Sequence, residues 1–395
     1  MITSAAMVPN TRISMFDPNI VNTFFGTAAA VLAGFITLRK LEAFPGTRAI
    51  GYAIPVLTTS FMIIFSIFLL VRLEYGRIQF ISSFLFSCVW FVLILSLAQR
   101  YSHRTLAILP FGDAPSLAGL HGVRWKTLTN SSVVPRDVDA VVADLSADLP
   151  SHWQLFLTET ALSGVPVFNV KPVREVLTGR VEIQHLSENT LGSLNPNDGY
   201  LKLKALFDFL LAITALTLLW PIMVGIGLAV KADSPGPALF RQKRTGLRGR
   251  VFTVYKFRTM VVSAPLSEPR DYSKTHAEDA RITRVGRFLR RSRLDELPQI
   301  LNILKGEMSW IGPRPEAVPL ARWYEAELPF YRYRHILRPG ITGWAQVNQG
   351  HVTEIDEVLE KLHYDFFYIK NFSAWLDILI FLKTIKVIVT GFGAR

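Results

Sequence analysis

Two adjacent carboxylates, Asp295 and Glu296, are the residues of this sequence best suited to carry chemistry. They lie in an arginine-rich run, 290–299, and precede apolar residues spaced to form one helical face (Leu297, Ile300, Leu301 and Leu304). Pro298 is compatible only with the first turn of a helix, so the pair is predicted to lie at a helix amino terminus. The positive end of the helix dipole and the neighbouring arginines favour the ionised form of both carboxylates.

An ionised carboxylate pair among arginines is compatible with three roles. It can cap the helix and form salt bridges, which is a structural role. It can bind Mg²⁺, an ion that takes one or two carboxylates together with phosphate oxygens and water. One carboxylate can also attack phosphorus and form an acyl phosphate, while a metal ion and arginines neutralise the charge. The pair alone does not choose among these roles.

A second motif, Pro313-Arg314-Pro315, follows the carboxylate pair. Proline fixes the backbone angle φ, so the two prolines restrict the backbone on both sides of Arg314. A guanidinium held in this way is pre-positioned for bidentate binding of phosphate. The motif therefore favours a phosphate-bearing ligand.

The distribution of charge also indicates an anionic ligand. The chain has 43 Lys and Arg against 31 Asp and Glu, a net charge of +12, and the window 231–299 holds 16 of these basic residues and 7 of the acidic ones. The window follows an apolar segment and contains no recognisable nucleic-acid-binding motif, so no nucleic acid partner is expected. Anionic lipid headgroups and a phosphorylated substrate fit better. The single cysteine, Cys88, excludes an intramolecular disulfide and a four-cysteine zinc site.

Three apolar runs, 20–38, 51–71 and 80–98, fill most of the amino-terminal part of the chain. Each has the length that a helix needs to cross a hydrocarbon layer of about 30 Å. Residues 1–100 are therefore predicted to form transmembrane helices, and burial of the three runs inside a large soluble domain is the alternative. Basic residues near the helix ends favour an amino terminus outside and everything after Arg100 in the cytoplasm.

Residues 101–195 alternate short apolar runs with helix-like stretches. This rhythm predicts a small, Rossmann-like α/β domain with a parallel sheet. Gly112 and Gly119 do not have the spacing that seats a dinucleotide pyrophosphate. We therefore expect a degenerate nucleotide-binding type of domain with a structural or regulatory role.

The segment 205–230 is apolar and long enough to span a membrane, and Pro221 interrupts it. A proline inside a helix removes a backbone hydrogen bond and bends the helix. Basic residues flank both ends of the segment, which favours both ends on the cytoplasmic side. We therefore predict a re-entrant helix that enters one leaflet, bends at Pro221 and returns, and a kinked fourth transmembrane helix is the alternative. Near the carboxyl end, 376–390 is predicted to be an interfacial or core-packed helix.

The carboxyl-terminal part, 202–391, resembles the bacterial sugar transferases, which are polyprenyl-phosphate hexose-1-phosphate transferases. The matching blocks are 234–242, 254–260, 290–299, 312–315, 338–348 and 365–371. The helical amino terminus with its degenerate α/β domain is similar to the larger members, which initiate exopolysaccharide, capsule or O-antigen repeat units. The resemblance implies a mainly helical cytoplasmic catalytic domain over 200–395, attached to the bacterial inner membrane as part of a multi-pass protein.

The resemblance implies a two-step transfer of a phosphosugar. Asp295 would attack the β-phosphorus of a UDP-sugar, expel UMP and hold the sugar phosphate on its carboxylate. Undecaprenyl phosphate, or another polyprenyl phosphate, would then attack this intermediate and leave as a polyprenyl-diphosphate-sugar. In the family pattern Glu296 binds Mg²⁺, and Asp295 lies beside the same ion.

Residues in other matching blocks receive roles from the same resemblance. Arg290 and Arg314 match arginines placed near the phosphates. Lys256 and Arg258 are assigned to phosphate or substrate binding, and Asp365 is given a supporting role at the site. For Arg314 the family pattern agrees with the proline argument above, and the other four assignments rest on the family pattern.

The sequence departs from the family pattern at two places. Trp220 stands before Pro221 where many relatives carry a serine, so no side-chain hydroxyl is available to the backbone at the bend. Gln349 and Gly350 stand where many relatives continue with glycine and arginine, so one arginine that could contact substrate is missing. Neither departure touches the carboxylate pair.

Two other hypotheses stay open from the sequence. The same reaction could run in a single step, with Asp295 and Glu296 serving only as metal ligands in a ternary complex. The chain could instead be a non-catalytic membrane scaffold whose basic surface binds anionic lipid or partner proteins. The sugar is not determined, with glucose and galactose expected from the larger relatives and N-acetylated sugars also compatible. The oligomeric state is open, and a homo-oligomer is compatible with the sequence.

Overall fold

The computed structural model describes residues 17–42, 49–101, 105–131, 137–183, 196–261, 281–349 and 354–390. By their contacts the residues form two compact units, 1–168 and 169–395. The first unit contains three long apolar helices and a four-stranded sheet. The second unit is mainly helical and holds two short two-stranded sheets.

Three helices open the first unit: α1 (Pro18–Leu41), α2 (Ala49–Val71) and α3 (Arg77–Tyr101). All three are long and apolar enough to cross a membrane. Between 11% and 22% of their most apolar windows is buried, so most of this apolar surface has no protein covering among the described residues. Water would solvate such a surface poorly, whereas a bilayer accommodates it. The chain is therefore membrane-associated.

Small residues line the contact between α1 and α2. Gly26, Ala30 and Gly34 are buried at intervals of four residues, and a Cβ atom at Gly26 would collide with the ring of Phe68. Small residues at this spacing let two helix backbones approach closely, which stabilises helix pairs in lipid.

The predicted α/β unit with a parallel sheet is confirmed. Its strands follow the order β2-β1-β3-β4, with β1 parallel to both β2 and β3. The strands are β1 (Thr105–Ile108), β2 (Arg124–Thr127), β3 (Ala140–Ala143) and β4 (Val167–Asn169). Helix α4 (Ser151–Leu162) contributes Trp153 and Phe156 to a core that includes Ala107 and Val141.

A buried carboxylate lies at the carboxyl edge of this sheet, where nucleotide-binding folds hold phosphate. Asp144 follows β3, and its Oδ2 accepts a hydrogen bond from the Asp113 amide at 3.0 Å. Its Oδ1 accepts from both the amide and the hydroxyl of Ser146. The protein's own carboxylate therefore accepts these hydrogen bonds.

The second unit begins with helix α5 (Val170–Thr178), which packs on residues far along the chain. Lys370 Nζ lies 2.6 Å from Glu175 Oε2. Gly179 ends the helix in the left-handed region at φ 70°, and its carbonyl accepts a hydrogen bond from Trp344 Nε1 at 2.9 Å. The chain is thus fixed to the second unit before the next long helix begins.

Helix α6 (Asp198–Asp233) is the fourth helix long and apolar enough to cross a membrane. Asn197 caps it by accepting a hydrogen bond from the Tyr200 amide. The helix continues through Pro221 as one element of 36 residues. An interruption of the helix at Pro221 is therefore not observed, because a proline costs one backbone hydrogen bond and need not end a helix whose neighbouring turns are intact.

Both ends of α6 contact the remainder of the second unit. Near the amino end, Tyr200 Oη donates to Asp377 Oδ2 at 2.5 Å and Lys204 Nζ lies 2.8 Å from the same oxygen. At the carboxyl end, Asp233 Oδ2 accepts from the Val285 amide at 3.0 Å. Ala212, near the middle, is fully buried in a core shared with strand and helix residues of the same unit.

The remaining elements form the body of the second unit. They are β5 (Leu239–Thr245), β6 (Val251–Phe257), α7 (Arg284–Ser292), α8 (Ile300–Leu304), β7 (Ser309–Ile311), α9 (Val318–Glu327), β8 (Gly340–Thr342), α10 (Trp344–Asn348), α11 (Ile355–Lys370) and α12 (Ala374–Thr390). Strands β5 and β6 form an antiparallel hairpin, and β7 pairs with β8 in parallel. Leu376, Leu379 and Ile380 of α12 are buried, so this helix is packed on the core along one face.

Candidate active site

The carboxylate pair lies where helix α7 ends and a short 3₁₀ helix begins. Arg293 adopts the left-handed conformation at φ 59° and redirects the chain. Asp295 and Glu296 then occupy the first turn of the 3₁₀ helix Leu294–Gln299, which leads directly into α8. The predicted helix start is confirmed, with a 3₁₀ turn that accommodates Pro298 in front of the α-helix.

Glu296 is buried and held by two cations. Lys256 Nζ, from β6, and Arg314 Nη2, from the loop after β7, each lie 2.8 Å from Glu296 Oε1. Burial alone would raise the pKa of Glu296, but the charges and hydrogen bonds of Arg314 and Lys256 hold this pKa well below its usual range. Glu296 is therefore a fixed negative charge, as the sequence predicted.

Asp295 is half-buried and has a different electrostatic setting. Burial raises the pKa of Asp295, and the charge of Glu296 adds to the increase. Lys256, Arg314 and Arg290 oppose it without reversing it. The arginines favour ionisation of Asp295, as expected, but burial and the second carboxylate outweigh them, so the net shift of its pKa is upward.

The cations form a compact group around the pair. Burial lowers the pKa of Lys256, while Glu296 opposes the decrease. Arg290, on α7, donates from Nε to Thr259 Oγ1 at 2.9 Å and lies near enough to Asp295 to lower its pKa. The structure therefore brings Lys256, Arg290 and Arg314 to the two carboxylates. Such a site presents positive charge and buried carboxylate oxygens to a phosphorylated ligand.

Arg244, on β5, is a functional candidate that sequence reasoning missed. Its Nη1 donates to the Pro315 carbonyl at 2.5 Å. Burial, followed by the nearby charge of Arg314, lowers the pKa of Arg244 to about 10. The sequence places Arg244 among several other basic residues, and only the fold brings it to the loop of Arg314, where it also forms an antiparallel bridge with Ala317.

Arg258 lies on the same segment as Lys256 but faces another part of the unit. It is 5% exposed, and its guanidinium donates to the carbonyls of Val230, Ser234 and Pro235 at the end of α6. Within the part of the chain that the structure describes, its hydrogen bonds go to these carbonyls and to the Ser234 hydroxyl and not to the carboxylate pair. Residues two apart lie on the same face only while the chain continues as a strand. Strand β6 ends at Phe257, so Arg258 does not have to share the partners of Lys256.

Asp365 is completely enclosed and contacts the site through another residue. It lies on α11, and its Oδ2 is 2.8 Å from Arg334 Nη2. Arg334 Nη2 also donates to the Arg314 carbonyl at 2.9 Å. Sequence reasoning missed Arg334, since its burial and its carboxylate partner both depend on a distant helix.

Comparison of the sequence with known proteins points to the same region of the chain. The bacterial sugar transferase family model matches residues 199–391, which include every residue of the site described above. A UDP-N-acetylgalactosamine-undecaprenyl-phosphate N-acetylgalactosaminephosphotransferase from Aeromonas hydrophila is 43% identical over 383 residues, covering 96% of this chain and 89% of the relative. The chain belongs to the bacterial sugar transferase family.

Other relatives of this sugar transferase match about half of the chain. A UDP-glucose:undecaprenyl-phosphate glucose-1-phosphate transferase from Xanthomonas campestris pv. campestris is 46% identical over 195 residues, 49% of this chain and 40% of the relative. An undecaprenyl-phosphate galactose phosphotransferase from Salmonella typhimurium is 35% identical over 206 residues, 49% of this chain and 41% of the relative. The resemblance inferred from the sequence motifs is thus confirmed.

The site of the sugar transferase fits Mg²⁺ only if the substrate completes the coordination. Among the described residues, no group of three or more His, Cys, Asp or Glu side chains could hold a metal ion by itself. Asp295 and Glu296 supply two adjacent carboxylates, and Mg²⁺ commonly takes one or two carboxylates with phosphate oxygens and water. The donor set is therefore compatible with an ion that arrives together with a diphosphate.

Proposed function

We propose that this sugar transferase transfers a sugar 1-phosphate from a UDP-sugar to undecaprenyl phosphate and releases UMP. The observation that carries the proposal is Glu296, a buried carboxylate fixed by Lys256 and Arg314 beside the half-buried Asp295. The names of the relatives describe transfers of this kind. The product, an undecaprenyl-diphosphate-sugar, would initiate exopolysaccharide, capsule or O-antigen assembly.

N-acetylgalactosamine is the sugar that we propose first. The relative that matches 96% of this chain is named for that sugar, whereas the glucose and galactose relatives above match about half of the chain. The sequence did not determine the sugar, and glucose and galactose were expected from the larger relatives, so all three UDP-sugars belong in the first experiment.

The proposed chemistry consists of two displacements at one phosphorus. In the first, an oxygen of the ionised Asp295 carboxylate forms a bond to the β-phosphorus, and the bond from that phosphorus to the UMP oxygen breaks, with its electron pair leaving on UMP. In the second, an oxygen of undecaprenyl phosphate attacks the same phosphorus, and the Asp295 carboxylate leaves. In this proposal Arg314, Lys256 and Arg290 neutralise charge on the phosphates.

Asp295 and Glu296 divide the work between them in this proposal. Glu296 keeps its negative charge and holds Arg314 and Lys256 in place. Asp295, with its raised pKa, binds a proton more readily, and only its deprotonated form can attack. Mg²⁺, held by Asp295 and Glu296 with the substrate, would neutralise charge on the diphosphate.

We also propose that α6 is re-entrant, with both ends on the cytoplasmic face of the inner membrane. Its 36 residues give about 54 Å of helix, which can return to the same face only if the helix bends within the leaflet, and we place this bend at Pro221. Tyr200 near one end and Asp233 at the other both bond to the same compact unit. A helix that crossed the bilayer would have its two ends on opposite sides, so these contacts support re-entry.

The activity test measures UMP release by the full chain in lipid nanodiscs. UDP-N-acetylgalactosamine, UDP-glucose and UDP-galactose are supplied in turn with undecaprenyl phosphate and Mg²⁺. Asp295→Asn is expected to abolish UMP release, and Asp356→Asn, at an exposed position on α11, is the matched control that retains it. Absence of UMP release by the wild-type protein with all three donors would refute the proposed function, and so would full activity of Asp295→Asn.

A labelling experiment separates the two-step route from the single-step alternative. A donor with ³²P in its β-phosphate is added while undecaprenyl phosphate is withheld. The two-step route predicts label on Asp295 and one equivalent of UMP in the first turnover. A protein that releases UMP only when acceptor is present, and never becomes labelled, would assign the carboxylates to metal binding in a ternary complex.

A further inference from the structure

The loop that carries Arg314 is held by its backbone carbonyls. Each of the four consecutive carbonyls from Pro313 to Glu316 accepts a hydrogen bond from a different donor. The pairs are Pro313 with the Gly340 amide at 3.0 Å, Arg314 with Arg334 Nη2 at 2.9 Å, Pro315 with Arg244 Nη1 at 2.5 Å, and Glu316 with the Thr245 amide at 3.0 Å. Two of the four residues are prolines, which have no amide N–H, so the loop depends on donors from other elements.

Of the two side-chain donors, Arg334 is the more enclosed. Its side chain is 2% exposed. One nitrogen, Nη2, bridges the Arg314 carbonyl and Asp365 Oδ2, which lies 2.8 Å away. The other nitrogen, Nη1, donates to Tyr331 Oη at 2.6 Å and lies 3.9 Å from Glu316 Oε1. The guanidinium is therefore fixed on several sides.

The bridge places Asp365 and Glu296 at the two ends of one chain of contacts. Asp365 orients Arg334, Arg334 holds the Arg314 carbonyl, and the Arg314 guanidinium binds Glu296. Nη2 holds the carbonyl and the carboxylate at once, in directions that the plane of the guanidinium fixes. An ammonium group is a flexible point charge without that plane, so lysine in place of Arg334 would keep the charge but not the fixed directions of the two contacts.

We infer that Arg334 is a positioning residue, which together with Asp365 fixes the backbone of Arg314 and thereby the direction of its guanidinium. The inference rests on the proposed function in one respect: Arg314 must act on the phosphates during transfer. In this inference Asp365 supports the site indirectly, because it contacts Arg334, which in turn holds Arg314. Asp365 and Arg334 are therefore expected to affect catalysis only through Arg314.

A purely structural role of the buried pair is the competing explanation. In that case substitutions would lower stability without a specific effect on the loop or on turnover. Tyr331→Phe provides the matched control, because it removes the hydrogen bond on Nη1 of the same guanidinium and leaves the Nη2 bridge to Arg314 and Asp365 in place. Variants on the two sides of Arg334 therefore separate positioning from stability.

The first measurement is hydrogen exchange of the loop in the full chain, which needs no substrate. Arg334→Lys is expected to accelerate exchange at the amides of Gly312, Arg314 and Glu316, and Asp365→Asn is expected to do the same to a smaller extent. Tyr331→Phe is expected to leave these amides at the wild-type rate even if its thermal midpoint falls. Equal acceleration in all three variants, or none in Arg334→Lys, would overturn the inference.

The second measurement is UMP release at saturating and limiting UDP-sugar. Arg334→Lys is expected to lower kcat by about 100-fold, the scale of a misplaced catalytic group, with a much smaller change in KM. In an Arg314→Lys background, the same substitution is expected to lower kcat by less than about threefold, because coupled residues are not additive. Full additivity of the two substitutions would overturn the inference.

The two measurements distinguish failure of the inference from failure of the proposed function. A wild-type protein that releases no UMP would refute the function, while the exchange rates of the loop would still test the role of Arg334. An active wild-type protein whose loop ignores Arg334→Lys would refute the positioning role alone.

Discussion

Replacing Asp377 by Asn tests how the amino end of helix α6 is held against the remainder of the second unit. Asp377 Oδ2 accepts from Tyr200 Oη at 2.5 Å and lies 2.8 Å from Lys204 Nζ, while Oδ1 accepts from Tyr368 Oη at 2.8 Å. The side chains of Lys204 and Asp377 are 11% and 10% exposed. Asn keeps the shape and the acceptor for one tyrosine, but it removes the charge that faces Lys204.

Asp377→Asn is expected to lower the free energy of unfolding, because it leaves Lys204 with only a more distant carboxylate. Loss of one member of a buried ion pair costs about 3 to 5 kcal/mol. Asp208 Oδ1 remains 3.8 Å from Lys204 Nζ, so we expect the lower end, about 3 kcal/mol. For a unit of this size, each kcal/mol shifts the thermal midpoint by about 2 to 4 °C, which predicts a decrease of about 6 to 12 °C.

The assay is thermal unfolding of the full chain in nanodiscs, followed by intrinsic fluorescence at a fixed scan rate. Asp356→Asn is the matched control, since it makes the same chemical change at an exposed position of α11. A midpoint for Asp377→Asn that equals that of Asp356→Asn would refute the reasoning. It would mean that the contacts of Asp377 do not attach the amino end of α6 to the second unit.

Three further predictions test the site and its support. The low pKa of Glu296 means that its ion pairs stabilise the fold above its ordinary pKa of 4.5, and this contribution is lost as the pH falls through the folded-state pKa. The difference in thermal midpoint between wild type and Glu296→Gln should therefore shrink below pH 4.5. A difference that does not depend on pH would contradict this. Arg258→Lys should lower the free energy of unfolding by about 2 kcal/mol, because it loses hydrogen bonds to carbonyls at the end of α6. The KM for UDP-sugar should stay unchanged. A raised KM would instead support substrate binding by Arg258. Gly179→Ala should cost about 1 to 2 kcal/mol, because alanine is strained at φ 70°, and its Cβ would lie 3.1 Å from the ring of Trp344; an unchanged midpoint would show that the segment relaxes freely.

Local patterns in the sequence were sufficient for several elements. The apolar runs predicted the three amino-terminal helices, because the length of a run can be counted in the sequence and compared directly with the thickness of a bilayer. The alternation of short apolar runs and helices predicted the parallel sheet in 105–169. The spacing of Leu297 and its neighbours predicted the helix that starts at the carboxylate pair.

The same patterns were insufficient wherever a partner comes from another segment. Arg258 and Lys256 look equivalent in the sequence, yet one binds carbonyls at the end of α6 and the other binds Glu296. Asp365 gave no sign that its partner is Arg334, because the two residues lie on elements that meet only in the folded unit. The pKa of Asp295 likewise depends on burial, which no local pattern measures.

The sequence by itself determined that the chain has apolar helices, an α/β unit and an acidic pair among arginines, because chain length, periodicity and proline chemistry act within a few turns. The tertiary structure decided which cations reach that pair. Lys256 and Arg314 converge on Glu296 from a strand and from a proline-bounded loop, and Arg334 holds that loop from a third element. Electrostatic energy depends on distances in space and on burial, and only the folded chain sets both.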